Sequence, residues 1–372
     1  MRMHPLTGRG NLPGVLPLWA IQLTICPRSL AKSSPYESSK LTLPVVIAPQ
    51  ITDSTVSVVV PNYNHGQYLP RCLTALVEQS VLPREIIVID DASTDNSAQI
   101  VEEFSRRHPF VRLHRNPTNQ GVVYGANLGL QLARGDWVLF AAADDFVLPG
   151  FLEKSVALLR QHPESALCCT IGDWHEIATG MNWHVSVGMG TEPCFIPPAR
   201  MAALERSRKF YIASHSAIMR RQPLLDAGGF LPQLRWHCDW FAITVAAFRH
   251  GICFVPEPLA RFFIYPTSYY KSGSRREEHR QVMCALLDLL LTEKYRDVEP
   301  LIRESGAMFL FGKPMLSVML RHPSYRRFLT PAFLRKNLWH IIKLELKSFT
   351  PGFLANLYFQ LAGYRAKTKP TA

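Results

Sequence analysis

Residues 56–64 read VSVVVPNYN, residues 85–93 read EIIVIDDAS and residues 137–145 read WVLFAAADD. In each segment a short apolar run ends abruptly at polar or acidic side chains. Continuous apolar runs of this length are typical of strands that are covered on both faces, as in a parallel sheet. Ligands of such sheets bind at the carboxyl ends of the strands, so the three polar clusters are expected to meet in one crevice. The residues that would line it are Pro61, Asn62, Tyr63, Asp91, Asp144 and Asp145.

The segments between these strands have the spacing of amphipathic helices. Apolar side chains recur at helical intervals in residues 68–77, 100–104 and 126–132. The alternation predicts an α/β fold with a mostly parallel sheet and helices on both faces. Beyond Ser165 the pattern is looser and predicts a mixed second half, and residues 275–347 have the pattern of helices.

The composition restricts the class of protein. With 47% apolar and 19% charged residues, a chain of 372 residues is expected to be globular. The net charge of +12 is uneven, because residues 301–372 contain twelve Lys and Arg against Glu304 and Glu345, which leaves +10 there. A nearly neutral body with a basic, apolar tail argues against nucleic acid as a partner and indicates an anionic membrane surface.

The basic tail has two interpretations. Its Lys343 and Lys347 are interleaved with Leu338, Trp339 and Ile342, which suits an amphipathic helix lying in a membrane interface. The same stripe is also what a helix packed on the catalytic part would show. Both interpretations stay open at the level of the sequence.

The cysteines and the N-terminal region add two expectations. The eight cysteines form no C-x-x-C pair, which indicates a reducing compartment and no structural metal. Residues 10–27 are uncharged and resemble a weak membrane segment, but Pro13 and Pro17 interrupt them. We expect residues 1–53 to be an extension or linker that is poorly ordered or a weak membrane segment.

Four longer segments carry a resemblance to a known family. They are VSVVVPNYNHGQYLPRCLTALVEQ from Val56, EIIVIDDASTDNSAQIV from Glu85, NQGVVYGANLGLQLARGDW from Asn119 and ADDFVLPGF from Ala143. In order and spacing they resemble the nucleotide-binding half of the family 2 glycosyltransferases of GT-A fold, from about Thr55 to about Gly251. The resemblance implies a GT-A domain over residues 54–270 and a helical, basic extension over residues 271–372.

The resemblance also implies roles for the residues of the crevice. Pro61, Asn62 and Tyr63 would border the nucleotide base, Asp91 would accept a hydrogen bond from uracil N3, and Asn127 would belong to the donor site. Asp144 would meet the ribose, and Asp145 would bind Mn²⁺ or Mg²⁺ on the diphosphate. Ala142 stands where the fuller Asp-x-Asp-Asp motif has its first acid, which weakens the expectation of a metal without excluding it.

A catalytic base is expected in the second half of the chain. The segment RWHCDW, from Arg235 to Trp240, resembles the family's acceptor loop with its Glu-Asp pair, although Cys238 replaces the Glu. Asp239 is the implied base, and its neighbour His237 is the rival. Asp239 and the pair Asp144-Asp145 could also be simple helix caps.

The resemblance implies an inverting transferase that moves a sugar from a nucleotide-diphosphate donor, a UDP-sugar, to a hydroxyl of a glycan or lipid-linked acceptor. The pathway would be polysaccharide or cell-envelope assembly, in the cytoplasm or at the cytoplasmic face of a membrane. The alternative is a nucleotide-sugar-binding protein without activity, because Ala142 and Cys238 replace two acids of the family pattern. Arg275 and Arg276 lie where a mobile lid could bring positive charge to the diphosphate, or they belong to a solvated basic loop. His65 is expected to be a packing residue of the first loop.

Overall fold

The computed structural model describes residues 56–178, 180–207, 211–265 and 276–349, apart from the side chains of residues 276 and 343–349. The expectations for residues 1–53, for Arg275 and for the chain beyond residue 349 lie outside the described residues. So do those for the side chains of Arg276, Lys343 and Lys347.

Ten strands form one sheet in the described residues. They are β1 (Val56–Asn62), β2 (Glu85–Asp90), β3 (Val111–Arg115), β4 (Trp137–Phe140), β5 (Phe146–Val147), β6 (Leu167–Glu176), β7 (Met181–Val185), β8 (Cys194–Ile196), β9 (Ala217–Arg220) and β10 (Ile252–Ile264). Their order is β3-β2-β1-β4-β9-β6-β10-β5, with β7 on β6 and β8 on β10. The first four strands are parallel, as are β6 and β10, whereas β5, β7, β8 and β9 pair antiparallel with their neighbours. The predicted α/β fold with a largely parallel sheet is confirmed.

Eleven α-helices are described. They are α1 (Leu69–Val77), α2 (Ser97–Arg107), α3 (Val122–Leu132), α4 (Phe151–Gln161), α5 (Pro198–Arg206), α6 (Arg221–Asp226), α7 (Cys238–His250), α8 (Arg276–Leu290), α9 (Glu299–Ser305), α10 (Gly312–Arg321) and α11 (Pro331–Phe349). Short 3-10 turns lie between several of them, and the one at Ser214–Ser216 contributes to the site. None of the described helices has the length and apolar character needed to cross a bilayer.

The sheet separates two apolar layers. Alternate residues of β1 face opposite sides, so that Val59 belongs to one buried cluster and Val58 and Val60 to the other. Helices α1, α2 and α4 cover the layer of Val58, while α3, α5 and α7 cover the other. At one point α3 packs closely on the side chains of the sheet: a Cβ on Gly129 would lie 2.1 Å from a methyl of Val59. The prediction of helices on both faces is therefore confirmed.

The strand β10 was not recognised in the sequence. It is 13 residues long, but Pro256 and Pro258 interrupt its apolar run, and proline removes a ladder hydrogen bond. The strand tolerates them because its pairing with β6 shifts register between Val255 and Pro258. The pattern of residues alone could not show that a bulge would absorb the two prolines.

The C-terminal helices pack on α5, on α7 and on the turn before α7. Leu286, Ile302, Phe309 and Phe333 are buried in the same apolar cluster as Phe241 of α7. The predicted helical character of residues 275–347 is thus confirmed, while the domain boundary near residue 270 stays a prediction because residues 266–275 are not described.

Candidate active site

The three polar segments lie at one edge of the sheet. In the parallel pair β1 and β2, Asn62 is opposite Asp90, and the Asp91 amide donates to the Asn62 carbonyl at 2.8 Å. On the other side of β1, the Ala141 amide donates to the Val59 carbonyl at 2.9 Å. Strands β2 and β4 therefore flank β1 and lie about 10 Å apart, which is two strand spacings. The convergence that the sequence predicted is present.

Hydrogen bonds join the loop after β1 to the loop after β2. Asn62 Nδ2 donates to Asp90 Oδ1 at 2.9 Å and to Ser93 Oγ at 3.2 Å, and the Thr94 amide donates to Asn64 Oδ1 at 2.8 Å. Asn64 and Ala92 both have positive φ, at 54° and 61°. Non-glycine residues adopt this conformation at a cost, and such strain is concentrated at functional sites.

Tyr63 and Pro61 flank Asn62 on the chain but differ in exposure. Tyr63 is 46% exposed, so its ring is accessible for stacking at the mouth of the site. Pro61 is half-buried and lies against Gly125 of α3, 3.6 Å from where a Cβ would be. Of these two residues, Tyr63 is thus the one whose side chain can reach a ligand.

The carboxylate of Asp91 is buried and held by protein donors. It accepts hydrogen bonds from Asn116 Nδ2 at 2.7 Å and from the amides of Gln120 and Gly121 at 2.9 and 2.7 Å. The Gln120 amide is shared between both carboxylate oxygens, at 2.9 and 3.0 Å, so three protein donors make four contacts with a carboxylate that offers about four acceptor positions. The contacts fix the loop after β3 against β2, and they orient Asp91 at the end of the crevice nearest β3.

Asp144 and Asp145 form a pair of like charges after β4, in which Asp145 is buried and Asp144 is half-buried. Burial raises the pKa of Asp144, and burial followed by repulsion from Asp144 raises the pKa of Asp145 well above its usual range. The Phe263 amide of β10 donates to Asp145 Oδ1 at 2.7 Å, which fixes the turn to the second half of the sheet. This arrangement is costly for a protein unless a cation or a proton is shared at the site.

Two basic residues, Arg71 and His65, lie beside this pair, and the sequence did not single out Arg71. Arg71 Nη2 donates to the Asp144 carbonyl oxygen at 2.9 Å, and its guanidinium lies 4.1 Å from the centre of the Phe263 ring. His65 is close enough to Asp144 to oppose the rise of its pKa. The interpretation of His65 as a packing residue is incomplete, because it also faces an acid. The only feature of the sequence that could have indicated a role for Arg71 is its short distance from Asn62-Tyr63-Asn64. Exposed arginines are too common for that distance to identify a functional residue.

His215 holds the turn between β4 and β5 that carries Asp144 and Asp145. Its Nδ1 accepts a hydrogen bond from the Ala142 amide at 2.9 Å, and burial lowers its pKa to about 4. The imidazole is therefore neutral at pH 7, with its proton on Nε2. The neighbouring Ser214 hydroxyl bonds to the carboxylate of Asp239. Ser214 and His215 thus connect the acidic turn to the predicted base, a contact that no local pattern revealed.

Asp239 lies in the first turn of helix α7. Burial raises its pKa, although hydrogen bonds from the Trp240 amide, at 2.7 Å, and from Ser214 oppose the shift. Burial raises the pKa of Tyr211, and the nearby negative charge of Asp239 raises it further. The bond from Asp239 goes to the next amide, and the N-cap of α7 is His237 with no side-chain cap bond, while the role of Asp239 as a base stays a prediction.

His237 has a different environment. Its Nε2 accepts a hydrogen bond from Trp236 Nε1 at 3.0 Å, and its ring stacks on His279 with 6.4 Å between centres. Burial, together with His279, lowers its pKa to about 3. A group that binds protons so weakly, and whose basic nitrogen is occupied, is a poor general base at neutral pH.

Asn127 connects α3 to the glycine turn before α7. Its Nδ2 donates to the Phe230 carbonyl at 2.7 Å, and its Oδ1 accepts from the Phe230 amide at 2.8 Å. Gly229 fits there because its φ is +70° and a Cβ would lie 2.4 Å from Asn127 Oδ1. These bonds hold the turn in place, while the role of Asn127 toward a donor stays a prediction.

The donor atoms at the acidic turn suit a hard divalent cation. Asp144 and Asp145 present carboxylate oxygens, which Mg²⁺ and Mn²⁺ prefer, and a cation would relieve their mutual repulsion. Within the described residues no group of three or more His, Cys, Asp or Glu is placed to hold a metal ion. The pair therefore fits an ion that takes its other ligands from a bound phosphate group and water.

A cleft also lies at the opposite edge of the sheet. It has a volume of about 600 Å³ and is lined at the amino end of β4 by Arg134, Asp136 and Trp137, with Arg220 beside them. Ligands of open α/β sheets bind at the carboxyl ends of the strands, and Asp91 and Asp145 are found there. Chemistry and topology therefore place the candidate active site at the carboxyl edge and not in this cleft.

The comparison with protein families matches residues 57–227 to the family described as Glycosyl transferase family 2. The uncharacterized protein MT1568 of Mycobacterium tuberculosis is 30% identical over 220 residues, which are 55% of this chain and 66% of that protein. The uncharacterized glycosyltransferase YibD of Escherichia coli is 34% identical over 128 residues, 34% of this chain and 37% of YibD. The alignments thus span about a third to two thirds of these relatives.

Solved structures share the fold. TarS residues 1–349 of S. aureus, in complex with UDP-GlcNAc, superpose with a TM-score of 0.50 at 16% identity, covering 85% of this chain and 94% of that one. The mannosyltransferase PcManGT of Pyrobaculum calidifontis, in complex with GDP-Man and Mn²⁺, gives 0.50 at 17% identity, covering 82% and 90%. At these identities the likeness concerns the fold alone.

Proposed function

Residues 57–227 of this chain belong to glycosyltransferase family 2, and from that premise we propose that the protein is an inverting glycosyltransferase. It moves a sugar from a nucleotide-diphosphate donor, a UDP-sugar, to a hydroxyl of a glycan or lipid-linked acceptor. The observation that carries this proposal is the meeting of the loop after β1, of Asp91 and of the Asp144-Asp145 pair at one edge of the sheet.

The donor lies along this edge from β2 to β4. Its base lies between the exposed ring of Tyr63 and the carboxylate of Asp91, which would accept a hydrogen bond from uracil N3 in exchange for one of its two contacts with the Gln120 amide. Its ribose and diphosphate then reach Asp144 and Asp145, about two strand spacings away. The TarS structure that shares this fold is a complex with UDP-GlcNAc, which supports the choice of a UDP-sugar as donor.

Asp145, with Asp144 beside it, would hold Mn²⁺ or Mg²⁺. When bound, the ion neutralises negative charge on the diphosphate as it departs. Arg71 lies on the same side and adds positive charge there, with His65 beside it. The loss of an acid at Ala142 leaves the amide of that residue as a structural anchor on His215, so the turn keeps its shape without the third carboxylate.

Asp239 is the general base. Its ionised carboxylate takes the proton of the acceptor hydroxyl, the hydroxyl oxygen forms a bond to the anomeric carbon, and the bond from that carbon to the diphosphate breaks. A single displacement of this kind inverts the configuration. Because burial raises the pKa of Asp239, its conjugate acid holds the proton more strongly than an exposed aspartate would. His237, with its pKa near 3, is a much weaker candidate.

The protein would work at the cytoplasmic face of a membrane, in polysaccharide or cell-envelope assembly. The basic C-terminal region supports this placement, because its charge of +10 would be attracted to anionic lipids near a lipid-linked acceptor.

A donor screen tests the first half of the proposal. UDP-, GDP- and dTDP-sugars are added with and without Mn²⁺, and the unfolding temperature is measured. Binding at a hundred times the dissociation constant adds about 2.7 kcal/mol of stability, which is readily detected. We expect UDP-sugars to stabilise most, and more with the ion. No stabilisation by any nucleotide sugar would refute the donor site.

A transfer assay tests the second half. Asp239→Asn is expected to lower turnover by about 10²- to 10⁴-fold while UDP binding persists, as for the loss of a general base. Asp226→Asn, at an exposed position at the end of α6, is the matched control and is expected to retain activity. If the unaltered protein binds donors but neither transfers nor hydrolyses them, the inactive binding protein is the correct function.

A further inference from the structure

Helix α11 has four apolar side chains that are substantially exposed in the described part of the chain. Leu334, Leu338, Trp339 and Ile342 are 44%, 60%, 47% and 39% exposed. At 100° per residue these four residues fall within an arc of about 140° of the helix surface, and the charged positions inside that arc are Arg335 and Glu345. We call these four residues the α11 stripe. Contiguous exposed apolar surface of this kind marks an interaction site.

The opposite face of α11 is fixed to the protein, so the stripe cannot turn inward. Phe333 is fully buried, and Asn337 Nδ2 donates to the Gly312 carbonyl at 3.1 Å. Lys336 is also buried and donates to Glu205 Oε1 at 2.7 Å, to the Glu205 carbonyl at 2.7 Å and to the Ser305 carbonyl at 3.3 Å. Of the two interpretations of the tail, packing on the catalytic part is therefore correct for this face, and it leaves the stripe to a partner.

Charge decides between the possible partners. Arg335 lies within the stripe, and Arg321, Arg326 and Arg327 are exposed in the segment before α11. Residues 301–372 carry a net charge of +10, so two copies docked through their stripes would place like charges together. An anionic bilayer instead attracts each basic residue near its surface, and it accepts Leu, Ile and Trp side chains at the boundary between headgroups and acyl chains.

We infer that the α11 stripe is a membrane-docking surface that inserts into the interface of an anionic bilayer. The helix lies parallel to the membrane, with Leu338 and Trp339 entering the interface and the flanking arginines near lipid phosphates. This inference deepens the proposed function, since it rests on a membrane-bound acceptor and names the residues that bring the enzyme to it.

Vesicle flotation with the full-length protein tests the inference. The vesicles contain phosphatidylcholine alone or phosphatidylcholine with about a third phosphatidylglycerol, a composition chosen to give a negative surface. We expect the protein to float with the anionic vesicles, less with the neutral ones, and less as salt is raised, because salt screens the attraction. Leu338→Glu is expected to weaken binding to anionic vesicles by about tenfold or more, since it removes an apolar contact and adds a repelled charge.

Ile177→Glu is the matched control, because Ile177 is 45% exposed in the turn after β6, far along the chain from α11. It is expected to float like the unaltered protein, and the unfolding temperatures of both variants show that they fold. Equal flotation of Leu338→Glu and Ile177→Glu, or no flotation at all, would overturn the inference. So would a dimer, detected by light scattering, that Leu338→Glu converts to a monomer. Donor binding, measured without lipid, fails or succeeds separately and tests the proposed function alone.

Discussion

The buried ion pair between Lys336 of α11 and Glu205 of α5 offers the sharpest test of how the C-terminal helices are attached. The two side chains are 1% and 2% exposed, and the ammonium lies 2.7 Å from Glu205 Oε1 and 4.2 Å from the centre of the Phe309 ring. Replacing Lys336 by Met keeps most of the volume but leaves a buried carboxylate without its partner. Breaking a buried pair in this way typically costs about 3–5 kcal/mol.

The expected shift in unfolding temperature follows from that cost. Large domains lose about 2–4 °C for each kcal/mol, so Lys336→Met is expected to unfold at least about 6 °C lower. The double variant Lys336→Met/Glu205→Leu replaces both charges by apolar groups and is expected to regain most of the loss. It does not regain all of it, because the carbonyls of Glu205 and Ser305 still lose their donor, at about 1 kcal/mol each.

Thermal unfolding monitored by circular dichroism, with all variants at one protein concentration, measures these shifts. Arg296→Met is the matched control, since Arg296 pairs with Glu293 at 3.4 Å but is 81% exposed, and exposed pairs contribute little. The reasoning is refuted if Lys336→Met unfolds within 2 °C of the unaltered protein, or if the double variant is less stable than the single one.

Three further predictions concern the site. Asp145→Asn is expected to raise the unfolding temperature at neutral pH without ligand and to abolish the extra stabilisation by UDP-sugar with Mn²⁺, as differential scanning fluorimetry would show. Because the pKa of Asp145 is raised, the native state binds more protons than the unfolded state. Its stability therefore falls as pH rises through the interval between the ordinary and the raised pKa, and the variant should lose this slope; an unchanged slope would contradict the assignment. Asp91→Asn should instead destabilise the protein by about 1.5–3 kcal/mol in urea unfolding, since three protein donors bond to the Asp91 carboxylate. An unchanged urea midpoint would refute this. Gly229→Ala should cost about 1–3 kcal/mol in the same assay because of its positive φ and the contact with Asn127 Oδ1, whereas Gly180→Ala, with open space around it, controls for the φ effect alone.

The sequence was sufficient for the first half of the fold because local pattern and global structure agree there. The apolar runs of β1, β2 and β4 are buried on both faces, and polar residues at their ends mark the edge where a ligand binds. Asn62, Asp91 and Asp145 could be located without coordinates, since parallel strands necessarily bring their carboxyl ends together.

Only the tertiary structure decided what surrounds those residues. Arg71 and His215 touch the acidic turn from elements 73 residues away along the chain, and no spacing rule encodes such contacts. The weakness of His237 as a base follows from burial and from Trp236, which are properties of packing. The amphipathic pattern of α11 likewise could not show which face would be covered, because that depends on where Lys336 finds Glu205. Periodicity determines that a helix has two faces, and long-range packing determines which one remains exposed.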